Sequence, residues 1–162
     1  MPSSQRQKDV CDLLDADHKA VKKMFKDFET LTESKARNAA QQRLDLAREI
    51  CTELTAHAQV EEEIFYPALR QAIKETDLLA EAEVEHQTAK DLIAQIRAAE
   101  TADEEFDARV KVLSEYIDHH VKEERNEIFP KARAAKKLDL VAMRDEVEAR
   151  KQELLDEQLA AA

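Results

Sequence analysis

At 162 residues, with a net charge of −11, no glycine, three prolines and two cysteines, the chain is long enough to bury one core without staples. It is too acidic to suit a nucleic-acid backbone or an anionic membrane surface. No apolar run approaches the roughly 18 residues of a membrane span, and the opening MPSSQRQKDV holds no apolar leader, so a cytoplasmic protein is expected.

Glutamate, lysine, alanine, leucine and arginine dominate, which points to helices. The first predicted helix runs from about Lys8 to Leu31 on a seam of Leu14, His18, Val21, Phe25 and Phe28, spaced 4, 3, 4, 3. After a polar connection at Thr32 to Ala36, the second continues to about Phe65. Its seam is Ala47, Ile50, Leu54, His57, Glu61, Ile64 and Ala68, and Pro67 is expected to kink or end it.

Thr76 is the expected N-cap of the third helix, which reaches about Ala99 along Leu79, Ala82, His86, Ala89, Ile93 and Ile96. The fourth runs from near Asp103 to about Ile128 along Phe106, Val110, Leu113, Ile117, His120 and Glu124, before Pro130 closes it. Short connections make successive helices antiparallel neighbours. The expected fold class is therefore all-α, an up-down-up-down antiparallel four-helix bundle over residues 1–135 with an additional C-terminal helix in a tail, 136–162. That tail has a weak stripe of Leu140, Met143, Val147 and Leu154, and it either lies against the bundle or serves self-association as a homo-oligomer.

Cys11 and Cys51 fall on successive antiparallel helices on opposite sides of the histidine level, ~20 Å apart at 1.5 Å per residue. A disulfide tolerates only ~7 Å. Both read as small, reduced, buried residues.

The chain repeats itself. HAQVEEEIFYP, from His57 to Pro67, returns 63 residues later as HVKEERNEIFP, from His120 to Pro130. Asp17-His18-x2-Val21-Lys22 likewise resembles Glu85-His86-x2-Ala89-Lys90. The first helix pair thus recurs as the second, and a pseudo-two-fold axis would make equivalent residues face each other.

Four of the five histidines lie on the seams of four different helices, and two of them have a seam glutamate four residues on, within reach on the same helix face. Burying imidazoles and carboxylates in an apolar bundle is costly unless each is compensated. His18 and His86 lie about ten residues into their helices, while His57 and His120 lie eight to ten before the ends of theirs, so all four meet at one depth. The candidate metal ligands are His18, His57, Glu61, His86, His120 and Glu124. Imidazole and carboxylate without thiolate suit iron, manganese or zinc, and two carboxylates able to bridge suit a metal pair ~3.5–4 Å apart. Iron is the leading choice.

These residues resemble the hemerythrin-like, or HHE cation-binding, domains, whose pattern is His … His-x3-Glu … His … His-x3-Glu. The match covers about residues 9–135 and includes Phe65-Tyr66-Pro67 and Phe129-Pro130. The resemblance implies a non-haem di-iron centre in which His18 and His57 serve one iron and His86 and His120 the other. Glu61 and Glu124 would bridge, with oxygen or an oxo or hydroxo group in the remaining positions and manganese or zinc as substitutes. It further implies a small ligand such as oxygen, nitric oxide or peroxide, or iron itself, bound for sensing, storage or carriage.

The oxygen-carrying members place a further histidine four residues after the third; this chain has Lys90 there, matching Lys22 in the first half. That departure raises the alternative of catalase-like peroxide or oxygen chemistry at the same centre. A metal-stiffened interaction bundle is a further reading. His119 is expected to be partly exposed or interhelical, and Glu62, Glu63, Glu123 and Glu127 to form a solvated acidic face. Glu53 and Tyr116, one turn before His57 and His120, are candidates to hydrogen-bond the ligands, with ordinary packing or exposure at the bundle end as the alternative.

Overall fold

In the computed structural model, residues 7–161 are described; the expectation of no apolar leader rests in part on residues 1–6, which lie outside them. The elements among the described residues are all helical: α1 (Val10–Thr32), α2 (Ala39–Val60), a first π segment (Glu61–Phe65), α3 (Tyr66–Arg70), α4 (Thr76–Ala98), α5 (Glu104–Glu123), a second π segment (Glu124–Ile128), α6 (Phe129–Ala134) and α7 (Leu140–Ala161). The first rod comprises α1, the second α2 through α3, the third α4 and the fourth α5 through α6. They alternate up and down as a four-helix bundle, and α7 packs on α1 and α2.

Local chemistry sets the rod ends. Asp9 caps α1 by accepting from the Asp12 N–H at 3.0 Å, while the Asp12 carboxylate accepts from the Asp9 N–H at 2.9 Å, a reciprocal capping box. Asp103 caps α5 through the Phe106 N–H at 2.8 Å. Thr76 is the first residue of α4 rather than its cap; Glu75 holds that position and makes no side-chain capping bond.

Neither Pro67 nor Pro130 ends its rod. In each half the chain widens into a π turn that begins at the repeated glutamate: the Tyr66 N–H donates to the Glu61 carbonyl, and the Phe129 N–H to the Glu124 carbonyl. The extra residue in the turn eases the proline that follows, which lacks an N–H and would otherwise press on the preceding turn. It also advances the buried seam by one position. Beyond Glu61 the core residues are Phe65, Tyr66 and Leu69 rather than the expected Ile64 and Ala68, and beyond Glu124 they are Ile128, Phe129 and Ala132.

The core is divided in two. One apolar cluster includes Val10, Leu14, Val60, Phe65, Leu69, Leu79, Ala82 and Phe129, together with Val147 and Leu154 of α7. The other includes Val21, Phe28, Ile50, Leu54, Ala89, Ile93, Phe106 and Leu113. On every rod a histidine marks the division: His18 lies between Leu14 and Val21, His57 between Leu54 and Val60, His86 between Ala82 and Ala89, and His120 between Leu113 and Ile128. Cys11 and Cys51 fall in different clusters, buried and unpaired with each other.

Candidate metal centre

The layer between the two clusters contains the six residues singled out in the sequence. His18, His57, His86 and His120 are buried, and Glu61 and Glu124 are completely so. Within each half the histidines meet through Nε2, His18 with His57 at 3.1 Å and His86 with His120 at 3.2 Å.

The carboxylates connect the halves. Glu61 Oε1 lies 3.1 Å from His57 Nε2 in its own half, 3.4 Å from His86 Nε2 in the other and 4.0 Å from His120 Nε2. Glu124 Oε1 lies 3.1 Å from His120 Nε2 and 3.2 Å from His18 Nε2. Two ligand-like triads result, His18–His57–Glu124 and Glu61–His86–His120, each borrowing its carboxylate from the opposite half of the chain.

These close approaches are not a finished hydrogen-bond network. Both oxygens of Glu61 and Oε1 of Glu124 are buried without a hydrogen-bond partner, a costly arrangement in a closed protein interior. Four imidazole nitrogens converging on carboxylate oxygens left without hydrogen bonds fit a cation between them, and an N/O donor set suits a first-row divalent metal. The residues present therefore fit a metal pair.

Protonation reflects the same crowding. Burial alone would lower the His57 pKa, but the Glu61 carboxylate and the Asp17 hydrogen bond raise it from 6.5 to about 10. Burial likewise opposes charge on His86 and His120, yet Glu61 and Glu62 raise the first, and Glu124, Glu61 and Glu85 hold the second well above the ordinary range. Glu61, despite a burial penalty on its charge, is held well below the usual carboxylate range by His57 and its other neighbours.

The outward nitrogens are oriented by carboxylates. His57 Nδ1 is 3.0 Å from Asp17 Oδ2, and His120 Nδ1 is 3.2 Å from Glu85 Oε1. Carboxylates in that position fix an imidazole's tautomer and tilt. Of the two roles open to Glu53 and Tyr116, the structure shows no hydrogen bond from either to a histidine among the described residues: Glu53 approaches Lys151 at 3.5 Å, and Tyr116 is substantially exposed. The orienting acid comes from the neighbouring rod, at the residue just before that rod's own histidine. The repeated Asp17-His18 and Glu85-His86 dipeptides were the available signal.

Tyr66 is a further residue of the layer, noted in the sequence only as part of the Phe65-Tyr66-Pro67 end of the repeat. Its hydroxyl is 3.3 Å from His120 Nε2 and 3.4 Å from Glu124 Oε2, and its ring lies against His86 with centroids 5.5 Å apart. Burial, followed by Glu124 and Glu61, keeps the phenol protonated by raising its pKa well above 10.0. Its counterpart Phe129 stacks near His18, centroids 6.2 Å apart, so one half offers a hydroxyl where the other offers none.

Of the remaining acids, Glu62 receives the Lys90 ammonium and approaches His86 Nδ1 at 3.5 Å, and Glu63 pairs with Arg150 at 2.9 Å. His119 is 65% exposed beside Glu123 and Glu85. Openings among the described residues meet the layer. A cavity of about 40 Å³ borders all four buried histidines and is otherwise walled mainly by Val21, Leu54, Ala89, Ile93 and Ile117. A groove of about 520 Å³ runs between α1 and α5 and reaches His18 past Lys22, Phe25, Val121 and Arg125.

With that geometry in place, a family profile described as Hemerythrin HHE cation binding domain matches residues 9–132. A protein named DNA nickase from Nostoc sp. (strain PCC 7120 / SAG 25.82 / UTEX 2576) is 32% identical over 127 residues, 78% of this chain but 34% of that protein, so the chain spans about a third of that relative. The crystal structure of a hemerythrin HHE cation binding domain-containing protein from Mycobacterium kansasii superposes with a TM-score of 0.76. It covers 95% of this chain and 91% of that one at 21% identity, a likeness of fold.

Proposed function

The chain belongs to the hemerythrin HHE cation-binding family, and from that premise we propose that it is a non-haem di-iron protein that takes up a small diatomic ligand, oxygen or nitric oxide, for sensing, storage or carriage. His18 and His57 would hold one iron, His86 and His120 the other, and Glu61 and Glu124 would contribute to both. The observation that carries this reading is the convergence of the four Nε2 atoms on carboxylate oxygens left without hydrogen bonds.

When bound, iron would supply a redox-active Lewis acid at the meeting point of the two halves. The protein's own residues do the rest. Asp17 and Glu85 hold His57 and His120 with Nε2 turned inward. Val21, Leu54, Ala89, Ile93 and Ile117 wall a cavity of about 40 Å³, room for a diatomic and little more. Tyr66 keeps one O–H donor at the edge of the layer, beside His120 and Glu124.

Anaerobic loading of the metal-free protein with ferrous iron tests the reading, with metal counted and absorption recorded before and after air or nitric oxide. Two irons per chain and new near-ultraviolet to visible bands are expected, with both lost in His57→Ala combined with Glu124→Ala. One iron or none, or a spectrum indifferent to both gases, would end the proposal.

A second reading is peroxide turnover at the same centre, favoured by the charged groove that reaches His18 past Lys22 and Arg125. Iron-loaded protein would then consume peroxide faster than an equal amount of free iron, and equal rates would rule it out. A nicking activity, as in the name of the Nostoc relative, would need a surface for a phosphate backbone, and a net charge of −11 runs against one.

A further inference from the structure

The two outer faces of the polar layer are built differently. On the α1–α2 face, Asp17 holds His57 with one oxygen and receives the Lys151 ammonium of α7 on the other, at 2.6 Å. Beneath α7 on this face lie Ala56 and Val60, both fully buried. The protein thus supplies its own cation to the carboxylate that orients His57.

On the α4–α5 face the corresponding acid is Glu85, whose Oε1 holds His120 at 3.2 Å. Among the described residues no lysine or arginine pairs with it. The positions that match Ala56 and Val60 in the repeat are His119 and Glu123. His119 Nε2 lies 3.5 Å from Glu85 Oε2 and 3.0 Å from Glu123 Oε1, and one ligand atom from each of the three lies within 4.8 Å of the others.

Two carboxylates gathered around one imidazole repel each other unless something positive lies between them. The spacing suits a metal: donors about 2.1 Å from a tetrahedral zinc stand about 3.4 Å apart, and the two imidazole-to-carboxylate distances, 3.0 and 3.5 Å, bracket that value. Three protein donors leave a fourth position to water.

We infer that Glu85, His119 and Glu123 form a third cation site, on the α4–α5 surface, for a divalent transition ion of the zinc, manganese or ferrous type. The ion does on this face what the Lys151 ammonium does on the other. It neutralises the outer oxygen of the acid that orients a buried imidazole, and so links divalent-ion concentration at the surface to the setting of His120. The site stands on its own three residues and does not require the buried layer to hold metal.

Equilibrium dialysis of the full-length chain against zinc, with bound metal counted, tests this. His119→Ala and Glu123→Ala alter surface side chains and are expected to bind one ion per chain fewer than wild type: two against three if the buried layer loads, none against one if it does not. His119→Lys, which brings an ammonium to Glu85, is expected to lose the same single ion. In protein preloaded at the buried layer, substoichiometric manganese is expected to broaden the His119 ring resonances before those of other exposed groups. Equal zinc counts in wild type and His119→Ala, or undisturbed His119 resonances, would overturn the assignment.

Discussion

If the six polar residues of the core are there to hold metal, the metal-free fold should be less stable for having them. Three buried acceptors, Glu61 Oε1 and Oε2 and Glu124 Oε1, lack hydrogen bonds, each costing about 1–3 kcal/mol. The His57–Glu61 and His120–Glu124 contacts offset part of that. Replacing buried ionic groups together by apolar ones of similar volume is commonly neutral or stabilising by about 1–4 kcal/mol.

The perturbation is His18→Leu, His57→Leu, His86→Leu and His120→Leu with Glu61→Met and Glu124→Met, adding Tyr66→Phe so that no hydroxyl is stranded. In chelator, this variant is expected to melt about 2–16 °C above metal-free wild type, at about 2–4 °C per kcal/mol for a domain this size. Iron should reverse the order, since each ion present at a hundred times its Kd adds about 2.7 kcal/mol to wild type alone. Scanning calorimetry with and without iron reads all four states. A variant that melts well below metal-free wild type, or fails to fold, would show that the polar layer is itself a structural network and would refute the reasoning.

The pKa shifts set a pH window. The His57 contribution to metal-free stability is complete below 6.5 and lost as pH rises through about 10, while that of Glu61 is present above 4.5 and lost as pH falls below it. Thermal melts in chelator should therefore peak between those limits, and calorimetric titrations in buffers of different ionisation enthalpy should show proton release on metal binding near pH 7. Asp17→Asn should weaken metal affinity about 10–100-fold, as expected for an acid behind a ligand histidine; unchanged metal retention against a graded chelator would count against its orienting role. Tyr66→Phe should keep the metal count, cost about 1 kcal/mol and alter the absorption of the ligand-bound form; an identical spectrum would place the hydroxyl outside the chemistry. Burial raises the Cys11 and Cys51 thiols to about 12 and 11, so neither should react with a thiol reagent in the native state, and rapid labelling of either would contradict the packing.

The rods and the six central residues were legible because each histidine interrupts an apolar stripe of helical period, and a buried imidazole stands out against such a stripe. The π turns were not. A single extra residue per turn leaves no compositional mark, and a seam extrapolated at 3.6 residues per turn runs on to Ile64 and Ala68 when the backbone has already shifted to Phe65 and Leu69. Asp17, Glu85 and Tyr66 were hidden for a different reason. Each reaches a residue on another rod, and interhelical contacts depend on rotation and depth, which one-dimensional spacing does not encode. The C-terminal stripe left two roles open, and burial of Val147 and Leu154 shows it lying against the bundle.

The exchange of carboxylates between the triads bears on how such a chain could arise. In the triads the half consisting of α1, α2 and its π turn brings two imidazoles and takes Glu124 from the other half, just as the second half takes Glu61 from the first, while each glutamate also lies 3.1 Å from a histidine of its own half. Both π turns start at the same place in the repeat, so the turn belongs to the repeated unit. The chain thus has the internal symmetry of two copies of one unit, and Tyr66 against Phe129 and His119 against Ala56 are where the two halves differ.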